Sequence, residues 1–217
     1  MSEPRSEEAL RFGIVRVMRA MDQRGLNRGT SGNVSVRHGD GILVTPSGVV
    51  PEDLTAEGVV FVGPDGASPE GSLRPSSEWR MHAGLYARRP DIHAVVHCHA
   101  RHATILACAG KTIPSLHYMV GVSGRPTVPL APYRTFGTVE LADAVAEAMD
   151  GGYACLMANH GLIAAAPKLD RALAIAEEME EQAAVYCGTL AIGGPTLLTE
   201  GQMAEVMQQF KGYGQKK

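Results

Sequence analysis

Two histidines one residue apart close the run Ala94-Val-Val-His97-Cys98-His99. The run is rich in β-formers, and on a strand positions i and i+2 face the same side. His97 and His99 can therefore converge on one ion, with Cys98 turned into the opposite layer. Neutral imidazole is a good ligand for divalent zinc. The same pair also fits two structural histidines, each hydrogen-bonded on a half-buried face. His160 is the candidate third ligand: Asn159-His160-Gly161 makes a turn between two apolar runs, which would present it at a sheet end. Three histidines and one open position describe a catalytic zinc site rather than a closed structural one. The four cysteines (Cys98, Cys108, Cys155, Cys187) are scattered without a CxxC, so no thiolate set competes.

Glu78 follows Ser76-Ser77 at the start of a helical pattern, where an acidic residue suits the first turn. His82 lies one turn further on the same face and reads as a core or supporting residue. His93, His102 and His117 read as structural, and His38 as a turn residue. Three polar segments are rich in small donors: Thr30-Ser31-Gly32-Asn33, Ser47-Gly48 and Ser76-Ser77. Glycine lets backbone N–H groups approach an anion, and hydroxyls add donors. Each is a plain turn when taken singly; together they make a phosphate cradle only if the fold joins them. The lysines are poorly placed for a Schiff base. Lys111 follows a turn glycine, Lys168 begins a helix, and Lys211, Lys216 and Lys217 fall among the last seven residues.

The elements that must position these groups follow from periodicity. Helices are expected over 6–24, from a Ser76 or Ser77 cap to about 88, over 101–109, 138–149, 169–187 and 201–211. Strands are expected over 33–37, 42–45, 59–62, 92–97, 127–130, 154–159 and 162–166. Their irregular alternation predicts an α/β fold: a single domain over 1–217 with a central mixed or antiparallel sheet flanked by helices.

The 217 residues are 45% hydrophobic and 20% charged with a net charge of −3, an ordinary soluble composition. No positive field is available for a nucleic-acid backbone. No apolar run approaches the ~18 residues that span a bilayer. The acidic N-terminus lacks the segments of a signal peptide, so a cytoplasmic location and reduced thiols are expected.

In order and spacing, five segments resemble the signatures of the class II aldolase/adducin family. They are Gly25–Arg37 (GLNRGTSGNVSVR), Thr45-Pro-Ser47-Gly48, Pro75-Ser76-Ser77-Glu78-Trp79, His97-Cys-His99 and Asn159-His160-Gly161-Leu-Ile163. Ile113–Met119 (IPSLHYM) and Ala131–Gly137 (APYRTFG) resemble the bacterial members that cleave L-fuculose 1-phosphate. The resemblance implies a metal-dependent aldolase that reversibly cleaves a ketose 1-phosphate to dihydroxyacetone phosphate and an aldehyde. The substrate would be L-fuculose 1-phosphate or a 5-deoxypentulose 1-phosphate such as 5-deoxyribulose or 5-methylthioribulose 1-phosphate. It implies one Zn2+ per subunit, or another divalent transition metal, on His97, His99 and His160, with Glu78 as acid/base and as a further ligand when substrate is absent. It implies phosphate binding by Thr30, Gly32, Asn33, Ser47, Gly48, Ser76 and Ser77. It also implies a homotetramer in which Tyr118 reaches a neighbour's site and Phe136 and Tyr213 shape the aldehyde side. The same scaffold carries epimerases and dehydratases, and a non-catalytic adducin-like interaction module; the last would be expected to have lost these ligands.

Overall fold

Alternating apolar residues build a seven-stranded sheet in the computed structural model, which describes residues 6–212. The strands are β1 (Asn33–His38), β2 (Gly41–Val44), β3 (Val60–Val62), β4 (Ala94–Cys98), β5 (Leu130–Ala131), β6 (Ala154–Met157) and β7 (Gly161–Ala166). They run in the order β3-β2-β1-β4-β7-β6-β5. All neighbours are antiparallel except β5 and β6, so the sheet is mixed, as expected. Tyr213 lies outside the described residues.

Among the described residues there are six α-helices: α1 (Glu7–Gln23), α2 (Trp79–Arg88), α3 (Arg101–Cys108), α4 (Val139–Ala148) and α5 (Leu169–Ala191), which pack on the sheet, and α6 (Glu200–Phe210), which packs on the 3-10 segment that follows α3. β4 shows how the layers divide. Ala94, Val96 and Cys98 pack with α1, α3 and α5 on one face. Val95 packs with α2 and α4 on the other. Each fully buried valine or isoleucine contributes about 1.5–3 kcal/mol. This rigid centre fixes the strand ends from which the site residues project. Cys98 is fully buried in the layer opposite His97, as the alternation requires.

Several boundaries differ from the periodicity, each for a local reason. α2 begins at Trp79, not at a serine cap. Ser76 Oγ instead accepts the Glu78 N–H at 3.3 Å, closing a tight turn before the helix. Glu78 occupies the N-cap position but makes no capping bond, because its side chain is turned inward. The strand expected over 154–159 stops at Met157, where the turn to His160 starts. α5 runs four residues beyond Cys187. A 3-10 helix, Tyr118–Ser123, has no apolar period to announce it; His117 Nδ1 caps it by accepting the Met119 N–H.

His102 is structural, as expected. The Glu180 carboxylate on α5 accepts the His102 and Ala103 N–H groups at 2.9 Å and caps α3 from outside the helix. Among the described residues, no helix is long and apolar enough to cross a membrane.

Candidate active site

The end of β4 holds His97 with its ring wholly buried. Its Nδ1 lies 2.9 Å from the Leu162 carbonyl on β7. That carbonyl only accepts, so Nδ1 donates to it and Nε2 is left facing the other site residues. His99 follows just past the strand, with its Nε2 3.1 Å from His97 Nε2. His160 enters from the β6–β7 turn. There Asn159 adopts a left-handed backbone (φ 56), which asparagine tolerates better than most residues. Gly161 completes the turn, since a Cβ there would lie 2.5 Å from the Cys98 carbonyl. The three rings stand roughly edge to face at interplanar angles of 67°, 76° and 80°. One ring nitrogen from each lies within 4.8 Å of the others.

Glu78 closes the group. Its Oε1 is 3.1 Å from His160 Nε2, and its Oε2 is 3.3 Å from His97 Nε2. Burial raises the carboxyl pKa, but His97 and His160 outweigh it and hold the group below the usual carboxylate range. Burial, with help from His97 and His160, pushes the His99 pKa down to about 4, which leaves its ring neutral at pH 7. Oε1 is buried and makes no hydrogen bond. An orphaned oxygen facing converging imidazole nitrogens is the donor set of a divalent metal. The residues present therefore fit one.

The three polar segments meet. Thr45 N–H bonds to Val34 O at 3.0 Å, Ser76 N–H to Thr45 O at 2.9 Å and Ser47 N–H to Arg74 O at 2.9 Å. Residues 45–48 and 74–77 thus lie side by side, and Val34, next to Asn33, ties the end of the 30–33 segment to Thr45; Thr30, Ser47, Gly48 and Ser77 are exposed and Ser76 is buried. Gly32 (φ +74) cannot be replaced without strain, because a Cβ would fall 2.3 Å from the Asn27 side chain. Asn33 is buried at the start of β1, with its Nδ2 2.9 Å from Glu78 Oε2.

Ser77, Glu78, His99 and His160 line a cleft of about 280 Å³ together with Tyr133, Arg134, Phe136 and Asn159. That volume suits a small substrate. Tyr133, Arg134 and Asn159 were not singled out by spacing, because loop residues leave no period. Asn27 was missed for the same reason: its Oδ1 accepts the His99 N–H at 3.3 Å, and its buried Nδ2 has no partner. Tyr118 is 48% exposed, lies against His117 and Phe210, and does not line this cleft.

Comparison with known proteins adds four findings. The family described as Class II Aldolase and Adducin N-terminal domain matches residues 13–187. A 5-methylthioribulose-1-phosphate/5-deoxyribulose-1-phosphate aldolase of Rhodospirillum rubrum is 46% identical over 211 residues, covering 97% of this chain and 95% of its own. An L-fuculose phosphate aldolase of Escherichia coli K12 is 47% identical over 195 residues, covering 89% and 90%. Among solved structures, an L-fuculose 1-phosphate aldolase superposes with a TM-score of 0.90 at 37% identity, covering 94% of this chain and 96% of its own.

Proposed function

The chain belongs to the class II aldolase/adducin family and is an aldolase of the fuculose and methylthioribulose phosphate type, and from that premise we propose a finer reading. The protein is a zinc enzyme that reversibly cleaves a ketose 1-phosphate to dihydroxyacetone phosphate and a small aldehyde with an apolar end. L-Fuculose 1-phosphate and the 5-deoxypentulose 1-phosphates, 5-deoxyribulose and 5-methylthioribulose 1-phosphate, share that shape. The observation that carries the reading is the Glu78 carboxylate, set among three histidines and adjoining the hydroxyls and glycines of the polar segments.

His97, His99 and His160 hold the metal, and Glu78 adds an oxygen when substrate is absent. When bound, the metal supplies Lewis-acid stabilisation of the enediolate charge. A lysine Schiff base is the alternative, but Lys111, Lys168 and Lys211 are all exposed and none lines the cleft. Thr30, Gly32, Ser47, Gly48, Ser76 and Ser77 hold the phosphate. Asn33 has one amide N–H left for it, since Glu78 takes the other. In condensation, the Glu78 carboxylate takes a proton from C3 of dihydroxyacetone phosphate, and the C–H electron pair becomes part of the enediolate. C3 then bonds to the aldehyde carbon. Tyr118 of a neighbouring subunit in a homotetramer gives its proton to the aldehyde oxygen, which becomes the C4 hydroxyl. Cleavage runs the same steps backwards. Phe136, which lines the cleft with Tyr133, shapes the aldehyde side, a role that the family resemblance also assigns to Tyr213.

The test is a panel of L-fuculose, 5-deoxyribulose and 5-methylthioribulose 1-phosphates, with ribulose 5-phosphate as the contrast. Release of dihydroxyacetone phosphate from at least one of the first three is expected. Epimerisation of ribulose 5-phosphate, with none of the three cleaved, would overturn the aldolase reading in favour of an epimerase.

A further inference from the structure

A buried polar chain leads away from Glu78 through residues that do not line the cleft. Asn33 Nδ2 is 2.9 Å from Glu78 Oε2, and Asn33 Oδ1 is 2.6 Å from His82 Nε2. His82 Nδ1 is 2.7 Å from Ser35 Oγ, which is 2.8 Å from the Tyr86 hydroxyl. Ser35 and His82 are fully buried and Tyr86 nearly so. Arg37 anchors the far end: its guanidinium stacks 5.0 Å from the Tyr86 ring and donates to the Tyr86 carbonyl at 2.7 Å. No water is needed to complete the chain, and its length is hard to explain by packing alone, since apolar residues would fill the same space at lower risk.

The direction of every bond follows from the carboxylate. An ionised Oε2 only accepts, so Asn33 must turn its N–H toward Glu78 and its carbonyl toward His82. His82 must then donate from Nε2. Burial pushes its pKa down to about 3, so the ring is neutral and Nδ1 is left as an acceptor. Ser35 donates to that Nδ1, and Tyr86 donates to Ser35. The opposite order would set the Asn33 carbonyl oxygen against a carboxylate.

We infer that His82 is a positioning residue for Glu78, acting through Asn33 and held in its Nε2–H tautomer by Ser35 and Tyr86. Four aligned donors pin Oε2 in place. Oε1 makes no hydrogen bond, lies 3.1 Å from Nε2 of His160, a cleft-lining residue, and is the oxygen that exchanges a proton with substrate. This assignment rests on the proposed acid/base role of Glu78, and it gives the two carboxylate oxygens different tasks.

The test compares wild type, His82→Leu, His82→Gln and Tyr86→Phe as full-length, metal-loaded proteins. Exchange of the C3 protons of dihydroxyacetone phosphate in heavy water is followed with metal content per chain. His82→Leu is expected to lower the maximal exchange rate about 10–100-fold, with KM and metal content little changed. His82→Gln places an amide N–H near the Nε2 position and should recover most of the rate. Tyr86→Phe should lower the rate less than His82→Leu does. An unchanged rate in a folded His82→Leu protein overturns the inference, as does equal damage in the Leu and Gln variants. A wild type that exchanges no proton would instead defeat the aldolase reading. Nitrogen-15 NMR of wild-type histidines, metal-free and at neutral pH, then decides the chain by itself. A neutral His82 protonated on Nε2 supports it, and protonation on Nδ1 overturns it.

Discussion

His82 shows how one side chain couples the site to stability. Unfolded, it takes a proton with a pKa of 6.5; folded, only at about 3. Between those values the unfolded chain binds more protons, so stability falls as the solution is acidified. The slope is about 1.4 kcal/mol per pH unit. Chemical denaturation of the metal-free protein at several pH values should show wild type losing stability faster on acidification than His82→Gln does. Parallel curves would mean that the ring is charged in the folded state. The histidine cluster was readable because its geometry is local: His97 and His99 obey strand alternation, and His160 sits in a turn bounded by apolar strands. The partners of that set were not readable. Asn33 to Glu78 spans 45 positions and Asn33 to His82 spans 49, and no period links residues so far apart. The glycine-rich turn marks Asn33 as a phosphate-binding candidate. Its buried amide bonds with Glu78 and His82 emerge only when β1 lies beside α2.

Helix and strand boundaries carry the same lesson one level up. The apolar spacing of α1, α4 and α5 located those helices, because their buried faces repeat every three or four residues. α2 misled at its first turn. A glutamate there reads as a favourable charge at a helix start, whereas Glu78 is 8% exposed and serves the histidines instead. Strand β5 is two residues long and pairs parallel to β6, so its place on the sheet edge had no signature. α3 illustrates a cap supplied from elsewhere in the chain. Glu180→Ala would leave the His102 and Ala103 amides without their acceptor, which should cost about 1–3 kcal/mol. The urea midpoint should drop with the m-value unchanged. Because α3 starts two residues after His99, this variant should also weaken metal retention. An unaltered midpoint would mean that solvent replaces the cap at no cost.

The whole sheet acts as the frame of the site. Its central strands β1, β4 and β7 deliver Asn33, His97 and, through the turn before β7, His160, while the loops before β1, after β2 and before α2 carry the hydroxyls and glycines of the polar segments. Tyr118 stands apart on its 3-10 helix, exposed and outside the cleft lining. If a neighbouring subunit supplies it, two inactive chains should complement. Glu78→Ala and Tyr118→Phe proteins, dissociated and reassembled together, should regain cleavage that neither shows alone; no recovery in mixed oligomers would place Tyr118 outside the reaction. The most direct test of the central claim is proton exchange at C3 of dihydroxyacetone phosphate, followed by NMR in heavy water, with no aldehyde present. The account predicts stereospecific exchange in wild type that stops on chelation and stops in Glu78→Ala while the metal stays bound. Exchange that survives in a metal-loaded Glu78→Ala protein would contradict it.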